Sequence, residues 1–158
     1  SHSITNYMIE FRGLDLSETD LKTLGSLHHV VIDMERIGDL AENIAEYTLT
    51  MMEKRANMTS EAEAELRTMA EKTKETLRMS LDIFDRRDKS RLPVVDAMEQ
   101  EVDIMKKSFT NNHIDRLQSK ACDPQTGVIF TNMVATLERV ADHATNIAFS
   151  TEGWTGGV

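Results

Sequence analysis

Three Glu-x-x-x-Asp pairs punctuate the sequence: Glu35 with Asp39, Glu99 with Asp103, and Glu138 with Asp142. On a helix each residue advances by about 100°, so the two carboxylates of each pair stack one turn apart. Around the first pair Glu42 and Glu46 continue the line, and His28 stands two turns earlier on it. Asn146 extends the third pair, and Asp96 flanks the second. A helix packing that set 99–103 beside 138–142 would bring four carboxylates together. Stacked like charges repel on an isolated helix, and a bound cation relieves that repulsion. Oxygen-only ligands suit hard or borderline ions such as magnesium, calcium, manganese or iron. The plainer reading of each stripe is a solvated helix face. What weighs against that reading is the recurrence of the pair, twice in matching surroundings.

Other chemistry is poorly supported. No Glu-x-x-His motif occurs, which argues against a ferritin-like di-iron centre. Cys122 is the only cysteine, with no partner pattern for a nucleophile and no possibility of an internal disulfide. His143 falls between the polar line and the apolar face, where a packing role is expected. Arg36 and Arg139 each follow a motif Glu, and an ion pair with a neighbouring helix is their default role. The methionines sit at core spacing and need no cofactor.

These side chains must be positioned by helices. The 158 residues include only 2 prolines and 7 glycines, against 10 methionines, a composition that favours helix. Stop and start signals give a short helical segment, roughly 4–12, broken at Gly13. A long helix from an N-cap at Ser17 then runs to about 54. A second runs from a Ser60/Glu63 capping box to about 87, bearing Ala62, Leu66, Met69, Thr73, Leu77 and Phe84. A third covers about 91–118 with Pro93 in its first turn and Val94, Met98, Val102, Met105 and Phe109 on one face. A last helix starts behind Asp123 and Pro124 and continues to about 150. No run alternates with a period of two. The architecture expected is all-α, with antiparallel helices joined by short loops. The formal charge of −9 argues against nucleic acid and anionic membranes as partners. No apolar run is long enough to span a bilayer.

The first and last long helices are related. Positions 34–45 and 137–148 share seven identities, including Glu, Arg, Asp and Asn in register, which shared amphipathicity does not explain. We read a duplicated unit of offset 103. In the second copy the motif helix follows two others; in the first it follows only the segment 4–12. The expectation is one partial bundle over 1–56, one complete three-helix bundle over 57–150 and a flexible tail at 151–158. The chain would then begin inside the first unit. Ile37, Leu40, Ala41 and Ile44 are expected to supply that helix's core face, and self-association as a homodimer to cover apolar surface left without a partner.

The motif helices, Glu35-Arg-Ile-Gly-Asp39 with Glu42-Asn-Ile-Ala45 and Glu138-Arg-Val-Ala-Asp142 with Asn146-Ile-Ala148, resemble the PhoU family. The resemblance implies PhoU-like antiparallel three-helix bundles and a non-enzymatic role in the control of phosphate uptake. It also implies metal ligands at Glu99, Asp103, Glu138 and Asp142, with Glu35 and Asp39 as half of a first site. The ions implied are divalent or ferric: iron, manganese, magnesium or zinc. A narrower likeness, through His113-Ile-Asp-Arg-Leu, Cys122, Gly127-Val-Ile-Phe and the second motif helix, is to the PhoU-like domain that follows the membrane part of bacterial sodium/phosphate cotransporters. That would make the partner the membrane transport domain of the same protein, with the chain at the cytoplasmic face of the membrane. A standalone PhoU-type regulator acting on a phosphate transporter is the alternative. An enzyme using carboxylate-bound metal is a third, and the sequence offers it no nucleophile–base pair.

Overall fold

In a computed structural model the described residues, 17–54 and 58–153, form four long helices and two short 3₁₀ turns, with no strand among them. The segment 4–12, Gly13 and the tail beyond Gly153 lie outside the described residues. Helix α1 spans Glu18–Lys54, α2 Ser60–Arg86, α3 Leu92–Gln118 and α4 Pro124–Phe149.

Helices α1, α2 and α4 each begin where a side chain accepts from their free N–H groups, whereas α3 has no side-chain cap and follows directly from a 3₁₀ turn. Ser17 opens α1: its Oγ accepts from Asp20 N at 3.2 Å, while its own N–H donates back to Asp20 Oδ2 at 3.2 Å. That reciprocal pair is the box expected from the sequence. At α2 the cap is Thr59 and not Ser60. Thr59 has the extended backbone a cap needs, and its Oγ1 accepts from Ala62 N at 3.2 Å. A threonine and a serine stood side by side, and backbone geometry chose between them. Asp123 caps α4 by accepting from Thr126 N at 2.9 Å. Helix α2 ends at Arg87 in the left-handed region, with Asp88 N donating to Ile83 O at 3.1 Å, a Schellman closure. Asp88 then caps the 3₁₀ turn Lys89–Arg91 that leads into α3.

Helices α2, α3 and α4 make an antiparallel three-helix bundle. Met69, Val102, Phe130, Val134, Leu137 and Ala141 fill its middle, and Ile83, Leu92, Val95 and Ala148 fill one end. Within α3 the expected face is rotated slightly. Val94 is 47% exposed while Val95 is fully buried, because Val95, Val102 and His113 share one narrow line and Val94 lies about 100° away from it. Across the other end of the bundle, Glu65 takes Arg116 and Asn112 at 2.7 Å each, and the Arg116 guanidinium lies 5.1 Å from the Phe130 ring.

Helix α1 lies antiparallel along α4. Ser26 Oγ donates to Ser150 O at 2.7 Å, and His143 Nδ1 stands 2.8 Å from Asp33 Oδ1 in a pair mostly shielded from water. His143 therefore ties the two helices with a polar contact as well as by packing. Val30 and Leu40 are the fully buried apolar residues of α1. Ala41, expected in its core face, is exposed among the described residues, because there α1 packs chiefly on α4 and the turn that follows it, a narrower face than the pattern implied.

Candidate metal centre

Helices α3 and α4 run in opposite directions, so their Glu-x-x-x-Asp pairs meet head to tail. Val95 and Val102 anchor one side of α3; Leu137, Ala141 and Ala144 anchor α4. Glu99 and Asp103 thereby flank the seam from one helix, and Glu138 and Asp142 from the other. Carboxylate oxygens of Glu99, Asp103 and Asp142 all lie within 4.8 Å of one another, each side chain half-buried.

The electrostatics of this trio are those of a site short of positive charge. Burial, then the neighbouring Asp103 and Asp142 carboxylates, pushes the Glu99 carboxyl up to about 7. Asp142 is also raised, first by burial and then by Glu138. Glu99 and Asp142 are hydrogen-bonded, so near neutrality Glu99 donates its proton to Asp142. One turn beyond Asp142, Thr145 Oγ1 is buried without a hydrogen-bond partner. Three convergent oxygens and an unsatisfied hydroxyl on the same line fit an oxygen-liking ion.

The other site residues named from the sequence stand differently. Glu138 is beside the trio, with Lys106 Nζ 2.6 Å from its Oε1. Glu35 and Asp39 lie on the exposed side of α1. Among the described residues no second group of three His, Cys, Asp or Glu side chains converges, at α1 or elsewhere. Lys106 and Thr145 were not singled out in the sequence. Lys106 is seven residues after Glu99 and three after Asp103, so helical spacing alone puts it on the acidic line.

The PhoU domain model matches residues 1–48 and 66–151. This chain belongs to the PhoU family. A similar protein is the phosphate-specific transport system accessory protein PhoU homolog 1 of Thermotoga maritima, 28% identical over 115 residues, or 73% of this chain and 49% of the relative. The chain thus spans about half the length of that relative. The crystal structure of PhoU from Pseudomonas aeruginosa is similar in fold, with a TM-score of 0.88 at 23% identity, covering 95% of this chain and 71% of that one. The all-α bundle expected from the sequence is therefore the fold of a PhoU protein.

Proposed function

We propose that this chain is a non-enzymatic, metal-binding regulatory domain of phosphate transport. The observation that carries the metal is the convergence of carboxylate oxygens of Glu99, Asp103 and Asp142 to within 4.8 Å of one another. These three would hold the ion, with Glu138 able to join once Lys106 swings aside. Bound there, the ion would supply positive charge that pins α3 to α4. The non-enzymatic reading is supported by membership of the PhoU family. The link to phosphate transport is supported by family membership and by the Thermotoga accessory protein.

In this reading residues 57–150 are one complete PhoU-like bundle and 1–56 the C-terminal part of another, acting at the cytoplasmic face of the membrane on a phosphate transporter. The Thermotoga relative favours a standalone accessory protein. The stretch from His113 through the second motif helix favours instead the cytoplasmic domain of a sodium/phosphate cotransporter. No described helix is long and apolar enough to cross a membrane, so in either case the transport path would be supplied by other segments or chains. Phosphate uptake in cells expressing the chain, compared with cells expressing Asp142→Asn, tests the link. Altered uptake with the parent and not the variant supports it; identical uptake in both contradicts it.

A further inference from the structure

At the end of the bundle where α2 and α4 begin, a cavity of about 10 Å³ offers room for one water or one bare ion. His113, near the end of α3, lines it and is only 6% exposed. Packing fixes the ring. The Phe130 ring centroid lies 5.2 Å from that of His113, and the Nε2 edge rests against Gly127, where an added Cβ would come within 2.6 Å. Among the described residues neither ring nitrogen has a hydrogen-bond partner. Burial, then the Arg116 charge, lowers the His113 pKa, so the ring is neutral near pH 7 and keeps a nitrogen lone pair. A buried imidazole left without a partner is costly, and calls for an account of what it meets.

The other walls of the cavity define what would suit it. Met58, just before α2, and Cys122, in the loop before α4, line it together with His113. Thiolate, thioether and imidazole are donors that select a soft ion, copper(I) above all. Among the described walls there is no Asp or Glu, so hard ions find no ligand, and three donors fall short of the four of a structural zinc site. Charge favours the same ion, because one thiolate cancels copper(I) and leaves no net charge buried. Arg116 also lines the cavity, but Glu65 meets its charge at 3.2 and 2.7 Å. The Arg116 Nε–H is buried without an acceptor, a lack that a thiolate would meet. We propose that Met58, His113 and Cys122 form a site for a single copper(I) ion, distinct from the carboxylate seam and independent of it. The Cys122 thiol loses its proton to solvent as the copper–sulfur bond forms, and the copper keeps its oxidation state. Bound there, the ion would tie the starts of α2 and α4 to the end of α3.

The test titrates the whole chain with copper(I), free of oxygen, against the chromogenic competitor bicinchoninate. The parent should take one copper(I) per chain, and Cys122→Ser none. Met58→Leu, close in size, should bind at least about tenfold more weakly. Asp142→Asn removes a carboxylate of the seam and should bind copper(I) like the parent, so failure of the carboxylate site would leave this one standing. Copper(I) should also raise the melting temperature of the parent and not that of Cys122→Ser, since an ion held only by the folded chain stabilises it. X-ray absorption of the loaded parent, which needs no variant, should show sulfur and nitrogen around the copper. No uptake by the parent against the competitor, equal uptake by Cys122→Ser, or a shell of oxygen alone overturns the proposal.

Discussion

Helices α1 and α4 share seven of twelve residues in their motif segments and occupy different situations. In α4 the apolar stripe is sealed, and the acidic line beside it faces α3, whose own pair closes a three-carboxylate site. Among the described residues the same stripe of α1 is exposed, and no second motif lies across from its Glu35/Asp39 line. A motif is therefore only half of a site. The opposing helix supplies the remaining oxygens, the partial burial that raises Glu99 and Asp142, and the lysine that holds Glu138.

The sharpest way to separate the two helices is to put one charge at equivalent positions. Ala141→Glu drives a carboxylate into a fully buried place, and a loss of about 3–5 kcal/mol or outright failure to fold is expected. Gly38→Glu puts the same side chain into open space. It should be neutral or gain up to about 1 kcal/mol, since glycine is a poor helix former. Urea denaturation of both variants checks this; comparable losses would mean that α1 is covered.

A smaller effect is expected at the start of α4. A Cβ on Gly127 would lie 2.5 Å from His113 Cε1 and 2.6 Å from Nε2. Gly127→Ala must push the buried His113 ring, at a cost of about 1–3 kcal/mol by denaturation. Smaller again are the caps. Thr59→Ala should cost about 1 kcal/mol, because α2 is embedded in the bundle. Ser17→Ala should cost less in global unfolding, because the first turns of α1 are exposed and can fray separately. Equal losses at the two caps would show α1 to be as firmly held as α2.

The pH dependence follows from Glu99, whose carboxyl is held near 7 in the folded chain against an ordinary 4.5. Between those values the folded protein binds more protons than the unfolded one. This contribution to stability is therefore complete at low pH and declines as pH rises from about 4.5 to about 7. Asp142 acts in the same sense. The difference in melting temperature between parent and Glu99→Gln, both metal-free, should shift against the parent across that window. A difference that does not vary with pH would mean that Glu99 is an ordinary exposed acid.

Much of this was legible in the residues themselves. Capping side chains, Pro93 and Pro124 gave the helix limits to within a residue or two, because local hydrogen bonding decides them. The repeat gave the relation between α1 and α4. What could not be read was which way faces turn once helices pack: Val94 and Ala41 look apolar enough to be buried, and only the neighbours determine that they are not. The close approach of His113 to Gly127, the Glu65–Arg116 pair and the capture of Glu138 by Lys106 join residues far apart in sequence. No spacing rule announces them. The acidic pairs were visible, but the raised Glu99 depends on burial that only the assembled seam provides.

The central claim is that the motif binds metal where a second helix faces it and not where it stands alone. Titration calorimetry with manganese at pH 7, on the parent, Asp142→Asn and Asp39→Asn, tests it most directly. The account predicts binding by the parent and by Asp39→Asn, none by Asp142→Asn, and release of up to about one proton as the ion displaces that of Glu99. Identical heats from the parent and Asp142→Asn, or loss of binding in Asp39→Asn alone, would contradict it.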